Sequence, residues 1–210
     1  MIFLRAGAYA LISAVAMGQL VGLSEGGPDD KGPILYLPGD QRTKNVGGSD
    51  GAGLCVFTSI GHAARFQNVD QLKDFQAWMR SHPGGGYPRK VDDMIDRLCA
   101  QRGLTRPSYL QVESKDASIL KMAIQTGRMP SITYDGRDMH YRGHIEHMVS
   151  LVGMTDDYAV ILDNNFVGES QFVYLTFNEF LSRWIGQGGP DRQGWAVILL
   201  DPGRAPVGGK

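Results

Sequence analysis

A thiol, an imidazole and a short acid-amide run are the groups in this sequence that could act together on one bond. Cys55 follows the small-residue loop Gly51-Ala52-Gly53 and lies at the start of a run, Leu54 to Phe66, that is apolar or small for nearly its whole length. The run predicts a helix buried on most sides, with the thiol at its N-terminus. Free backbone N–H groups and the helix dipole favour an anion there, so the thiol pKa is depressed and the nucleophilic thiolate is more populated. Taken alone, the position suits a small core side chain even better, since free cysteine is among the most buried residue types. His147 changes that balance. It opens the strand-like stretch His147-Met148-Val149-Ser150-Leu151-Val152-Gly153-Met154, after a loop holding His140, Gly143 and His144. Tyr158 to Leu162 reads as a second strand, running into Asp163-Asn164-Asn165-Phe166. The turn Thr155-Asp156-Asp157 makes the two strands antiparallel neighbours, which brings the start of the first beside the end of the second. A thiol, a base to take its proton and a group to orient the base are the parts of nucleophilic acyl transfer. Alternation places Asp163 and Asn164 on opposite strand faces, so only one of them can reach His147.

Those groups must be held by a core, and the chain is long enough for one. It has 210 residues, 42% of them apolar, enough for one buried core or two small packed lobes. Lysine and arginine number 21 against 22 acidic residues, so no global field draws the protein to nucleic acid or to an anionic membrane surface. Further helices are expected over Val69 to Arg80, Pro88 to Gln101 and Ala117 to Thr126, each followed by a glycine-containing break. The texture then turns to strands over Pro130 to Tyr134, His147 to Met154, Tyr158 to Asp163, Phe172 to Thr176 and Trp195 to Leu200, with one helix from Phe177 to Trp184 between them. Helices first and antiparallel strands later indicate an α+β domain, a helical lobe packed on a sheet lobe with a cleft between.

The stretch His147 to Met154, followed by Val160-Ile161-Leu162-Asp163-Asn164-Asn165-Phe166, resembles the histidine and asparagine strands of papain-like cysteine peptidases. Gly51 to Phe66 is similar to that family's nucleophile helix, and Gly127 to Tyr134 to its preceding strand. The likeness covers about Val46 to Asp201 in order and spacing. It implies a papain-like fold with Cys55 as nucleophile, His147 as base and Asn164 as the residue that orients the base, with Phe166 as the aromatic that shields their contact. Aspartate fills the orienting role in transglutaminase-like relatives, which makes Asp163 the rival. The family places an oxyanion-donating glutamine six residues before the nucleophile; here that position is Ser49, and the nearest upstream glutamine is Gln41. A Ser49 hydroxyl or loop N–H groups would have to serve instead. Leu175 to Trp184 looks more like the bacterial members related to bacteriocin-leader processing. The implied activity is hydrolysis of a peptide or amide in a peptide or protein substrate, with no cofactor. A silent peptide-binding domain and a transglutaminase-like acyltransferase stand as alternatives.

The remaining features set organisation. Residues 1–24 carry one arginine, Arg5, ahead of an apolar stretch with a small-residue site at Ala14-Val15-Ala16. That order is expected of an export signal or an N-terminal anchor, with a cytosolic first helix as the alternative. Residues 25–45, rich in glycine and proline, are expected as a linker, 46–202 as the catalytic domain and 203–210 as a flexible tail. Cys99 lies at helical spacing from Ile95 and reads as core, against a rival Cys55–Cys99 bridge that would remove the nucleophile. His140, His144, Glu146 and His147 lack the helical spacing of a zinc site, so metal ranks below catalysis. His62 reads as an interior histidine. Tyr134, His140, Tyr141 and the loop 84–87 are the expected cleft wall.

Overall fold

A computed structural model of the chain describes residues 34–46, 53–82, 84–137, 140–166, 168–185 and 193–204. Among them are five α-helices, α1 (Cys55–Gln67), α2 (Phe75–Met79), α3 (Pro88–Arg102), α4 (Ser118–Gln125) and α5 (Phe177–Ile185). Six strands, β1 (Tyr109–Ser114), β2 (Ser131–Tyr134), β3 (His147–Met154), β4 (Tyr158–Leu162), β5 (Phe172–Thr176) and β6 (Gly194–Leu199), form one sheet in the order β1-β6-β2-β3-β4-β5. Every pairing in it is antiparallel. The α+β architecture expected from the sequence is therefore present, with α1 packed on β3, β2 and β6.

All eight residues of β3 are buried. A strand covered on both faces carries a continuous apolar run rather than an alternating one, which is why His147 to Met154 stands out in the sequence. Edge strand β5 alternates instead, with Val173 and Leu175 buried and Tyr174 and Thr176 exposed. Helix α1 ends where Asn68 takes the left-handed conformation at φ 60°. Gly103 closes α3 in the same way at φ 63°, a conformation glycine adopts without a Cβ penalty.

Three expectations need correction. Strand β1 is not foreseen, because Tyr109 to Ser114 is only half buried and has no full alternation; it finds its partner in β6, at the far end of the chain. The single helix expected from Val69 to Arg80 is two pieces, a 3₁₀ turn at Asp70–Leu72 and α2. That break brings the carbonyls of Leu72 and Lys73 close over Gly61 of α1.

The third correction concerns the linker. Residues 34–45 are part of the folded body, with Leu35 and Leu37 fully buried. The Leu35 N–H donates to Val152 O at 2.7 Å, the Thr43 N–H to His62 Nε2 at 2.8 Å and the Asn45 N–H to Asn164 O at 2.6 Å. Alternation of buried Leu35 and Leu37 with exposed Tyr36 was the local sign of this docking. The expected tail likewise starts docked, the Arg204 N–H donating to Gly127 O at 2.9 Å. The expected signal or anchor, residues 1–24, and the rest of the linker and tail lie outside the described residues. Among the described residues no helix is long and apolar enough to cross a membrane.

Candidate active site

Cys55 is the first residue of α1, after Leu54, which provides no side-chain cap. The first N–H groups of a helix have no intrahelical acceptor, and those of Val56 and, from β3, Met148 are directed at the Cys55 sulfur. His147, the first residue of β3, hydrogen-bonds the same sulfur. Its Nε2 is 2.9 Å from Asp163 Oδ1, which leaves Nδ1 for the thiol. Both side chains of the His147–Asp163 pair are almost wholly withdrawn from solvent.

Burial opposes charge on each of the three groups, and their mutual contacts overcome it. For Cys55, burial pushes the thiol up, but the hydrogen bond and charge of His147, with two backbone N–H groups, hold it below its ordinary 9.0. For His147, burial pushes the imidazolium down, while Asp163 and then Cys55 raise it from 6.5 to about 9. For Asp163, burial pushes the carboxyl up, and His147, the Asn165 N–H and Tyr141 together bring it below its usual range. The directions of these shifts favour a thiolate, an imidazolium and a carboxylate in line.

The two strands place His147 against the Asp163 to Asn165 run, as expected, but the side chain that meets the imidazole is that of Asp163 and not that of Asn164. Leu151 is opposite Ile161 and Gly153 opposite Val160, so β3 spends two steps where β4 spends one. The additional residue, Val152, is a β-bulge. A one-residue shift of register moves side chains to the other face. Continuing the pairing of Ser150 with Leu162 sets His147 opposite Asn165, so that Asp163 and Asn165 share its face. Without the bulge, the pairing of Met154 with Ala159 would have set Asn164 there.

Asn164 does different work. Its Nδ2 donates to Met148 O at 2.9 Å, Ser59 Oγ at 2.8 Å and Cys55 O at 3.2 Å, tying the end of β4 to β3 and to the first turns of α1. It braces the helix that carries the thiol. Phe166 is also displaced from its expected place: it stacks on His140 at 4.1 Å between ring centroids, and the aromatic ring beside His147 is that of Tyr141, at 6.1 Å.

Of the expected cleft wall, Tyr134 is fully buried and pairs with His147 across β2 and β3, so it belongs to the interior. The loop 84–87 does approach the start of α1: a Cβ on Gly86 would fall 2.5 Å from the Val56 side chain, one residue after Cys55. Tyr141 faces the carboxylate, its hydroxyl donating to Asp163 Oδ2 at 2.7 Å. His144 is engaged by buried Asp135 at 2.7 Å. His62 is fully buried, accepting the Thr43 N–H. Cys55 and Cys99 are both free thiols. Ser49, the expected oxyanion donor, lies outside the described residues.

No protein family profile matches this sequence, and no curated protein matches it. Among solved structures, the crystal structure of a Bacillus anthracis protein provisionally classed as a C39-like peptidase matches with a TM-score of 0.52 at 13% identity, covering 84% of this chain and 100% of that one. At that identity the likeness is one of fold, and it is the fold read above: an N-terminal helical part carrying the cysteine, packed on an antiparallel sheet.

Proposed function

We propose that this chain is a papain-like cysteine peptidase or amide hydrolase working through Cys55, His147 and Asp163. The observation that carries the reading is the buried line of contacts from the Cys55 thiol through His147 to Asp163 at 2.9 Å, at a helix N-terminus. His147 takes the Cys55 proton, and the thiolate attacks the acyl carbon. His147 then returns that proton to the departing amine, leaving a thioester, which water hydrolyses to regenerate the thiol. Asp163 holds the imidazole tautomer with Nδ1 toward sulfur. Oxyanion stabilisation falls to the Cys55 N–H, first in α1, with a donor from the loop before it, Ser49 among the candidates.

A peptide or protein is the proposed substrate, within the group of bacterial peptidases that resemble leader-processing enzymes. Export directed by residues 1–24 is the accompanying proposal, tested by the N-terminal sequence of the protein made in a bacterial host. Acyl transfer to an amine shares every step up to the thioester, and the aspartate partner of His147 is the feature that keeps it as a second reading. Alkylation with iodoacetamide across about pH 5 to 8, with the modified residue located by mass spectrometry, tests the core of the proposal. The expected result is rapid modification of Cys55 below neutral pH, lost in His147→Ala. An unreactive Cys55 would sink the hydrolase and leave a binding domain. Addition of an amine to an active preparation separates hydrolysis from transfer by the product formed.

A further inference from the structure

Asp163 is anchored by groups other than His147 that the proposed chemistry does not use. Its Oδ2 accepts the Tyr141 hydroxyl at 2.7 Å, and its Oδ1 accepts the Asn165 N–H at 2.9 Å besides facing His147. Tyr141 is held in turn: Asn165 Nδ2 donates to its hydroxyl oxygen at 2.9 Å, and Asn45 Nδ2 donates to Asn165 Oδ1 at 3.0 Å. Asn45 belongs to the docked segment 34–46, whose own N–H reaches Asn164 O at 2.6 Å. The donors run in one direction, from amide to amide to phenol to carboxylate, so the Asn165 and Tyr141 oxygens each accept one hydrogen bond and the carboxylate is the terminal acceptor.

The loop presenting Tyr141 is built to hold it. Asp135, at the end of β2, accepts from the Ile145 N–H at 3.3 Å and pairs with His144 at 2.7 Å. The Arg137 N–H donates to Gly143 O at 3.1 Å. Gly136 lets the Tyr141 side chain come so close that a Cβ there would sit 2.7 Å from Tyr141 Cβ. Arg183 of α5 also binds Gly136 O. A loop tied down at both ends delivers one hydroxyl to one carboxylate oxygen.

From this arrangement we infer that Tyr141 is a positioning residue for the reaction, fixing the rotation of Asp163 and keeping it ionised so that it can orient His147; the inference rests on the function proposed above. A carboxylate free to turn about its side-chain bonds would present its oxygens to His147 only part of the time. With three donors around it, the Tyr141 hydroxyl on Oδ2 and the Asn165 N–H and the imidazole on Oδ1, it has one orientation. The titratable groups set against Asp163 are His147 from β3 and Tyr141 from the loop, with Cys55 of α1 on the far side of the imidazole. A hydrogen bond to a charged group changes an equilibrium by roughly 10- to 100-fold. Loss of the Tyr141 hydroxyl should therefore let Asp163 take up a proton at higher pH and release His147 earlier as the solution is acidified.

The test is the rate of Cys55 alkylation by iodoacetamide over about pH 4 to 8 in the intact protein, Tyr141→Phe, Asp163→Asn and the double variant. The expected result for Tyr141→Phe is an acid limb moved to higher pH by about one unit, with the rate on that limb lowered about tenfold. The same substitution made in Asp163→Asn should add nothing, because no carboxylate remains to be held. Asn165→Ala should move the limb in the same direction by less, and it carries the test if Tyr141→Phe does not fold. An unchanged profile in Tyr141→Phe, or an effect that persists undiminished in Asp163→Asn, overturns the role given to Tyr141 while leaving the proposed chemistry intact. An ordinary thiol profile in the unaltered protein overturns the chemistry itself, and Tyr141's role with it.

Discussion

Asp163→Asn and Asn164→Ala separate two neighbouring residues to which the structure gives unlike contacts. The rise of His147 from 6.5 to about 9 corresponds to about 3 kcal/mol in favour of the imidazolium, at 1.36 kcal/mol per pH unit. That net gain stands against the cost of burial, and the Asp163 hydrogen bond is the largest favourable contribution, ahead of Cys55. Asparagine keeps an oxygen for the Nε2–H but loses the charge. At least half of the gain should go, lowering the imidazolium by about one to two pH units and the equilibrium constant for the thiolate-imidazolium pair by about 10- to 100-fold. The assay compares the alkylation rates of Cys55 by anionic iodoacetate and neutral iodoacetamide from about pH 5 to 10. A neighbouring imidazolium attracts the anion, so the ratio of the two rates falls as His147 loses its proton. The midpoint of that fall is expected near 9 in the unaltered protein, about one to two units lower in Asp163→Asn, and unmoved in Asn164→Ala. Asn164→Ala should instead lower stability by about 1–3 kcal/mol, since buried groups at Ser59, Met148 and Cys55 lose a donor. A midpoint that moves in Asn164→Ala and stays in Asp163→Asn would refute the assignment of Asp163 as the orienting residue.

Further outcomes follow from the packing around the site. Gly86→Ala should force Val56 aside from a 2.5 Å approach, costing about 1–3 kcal/mol and slowing Cys55 alkylation, because the displaced residue is next to the thiol. Gly194→Ala, whose Cβ would fall 2.2 Å from the Trp184 ring, should cost a similar amount in urea unfolding and leave the alkylation profile of the folded protein alone. His62 is held neutral, its pKa lowered from 6.5 to about 3 by burial and then by the charge of Arg65. A folded pKa below the unfolded one means stability is present above pH 6.5 and is lost as the pH falls toward 3, in all about 4 to 5 kcal/mol. His62→Gln, which keeps an acceptor for the Thr43 N–H, should flatten urea-unfolding stability between pH 6.5 and 4 relative to the parent, and an equal slope in both proteins would remove His62 as the cause.

Local pattern alone determined much of this protein. The apolar run after Gly53 specified a buried helix with Cys55 at its start, and the valine- and leucine-rich run from His147 to Met154 specified a strand. The short turn at Thr155 to Asp157 made the two late strands neighbours, so the meeting of His147 with the Asp163 to Asn165 run was legible before any coordinates. These features depend on periodicity and on contacts between residues close in sequence. What tertiary structure alone decided depends on register. The bulge at Val152, whose carbonyl accepts the Leu35 N–H, shifts β3 against β4 by one residue, and that single step turns Asp163 toward His147 and Asn164 toward Cys55. The one local signal is Gly153, a glycine inside the strand pattern directly after the bulged residue, which points to an irregularity there but not to its effect on which side chain meets His147. The contact of Tyr141 with Asp163 was hidden for a different reason: the loop that presents it is tied to Arg183, which accepts the Asp135 N–H and binds Gly136 O, contacts that exist only once α5 and the sheet have packed together.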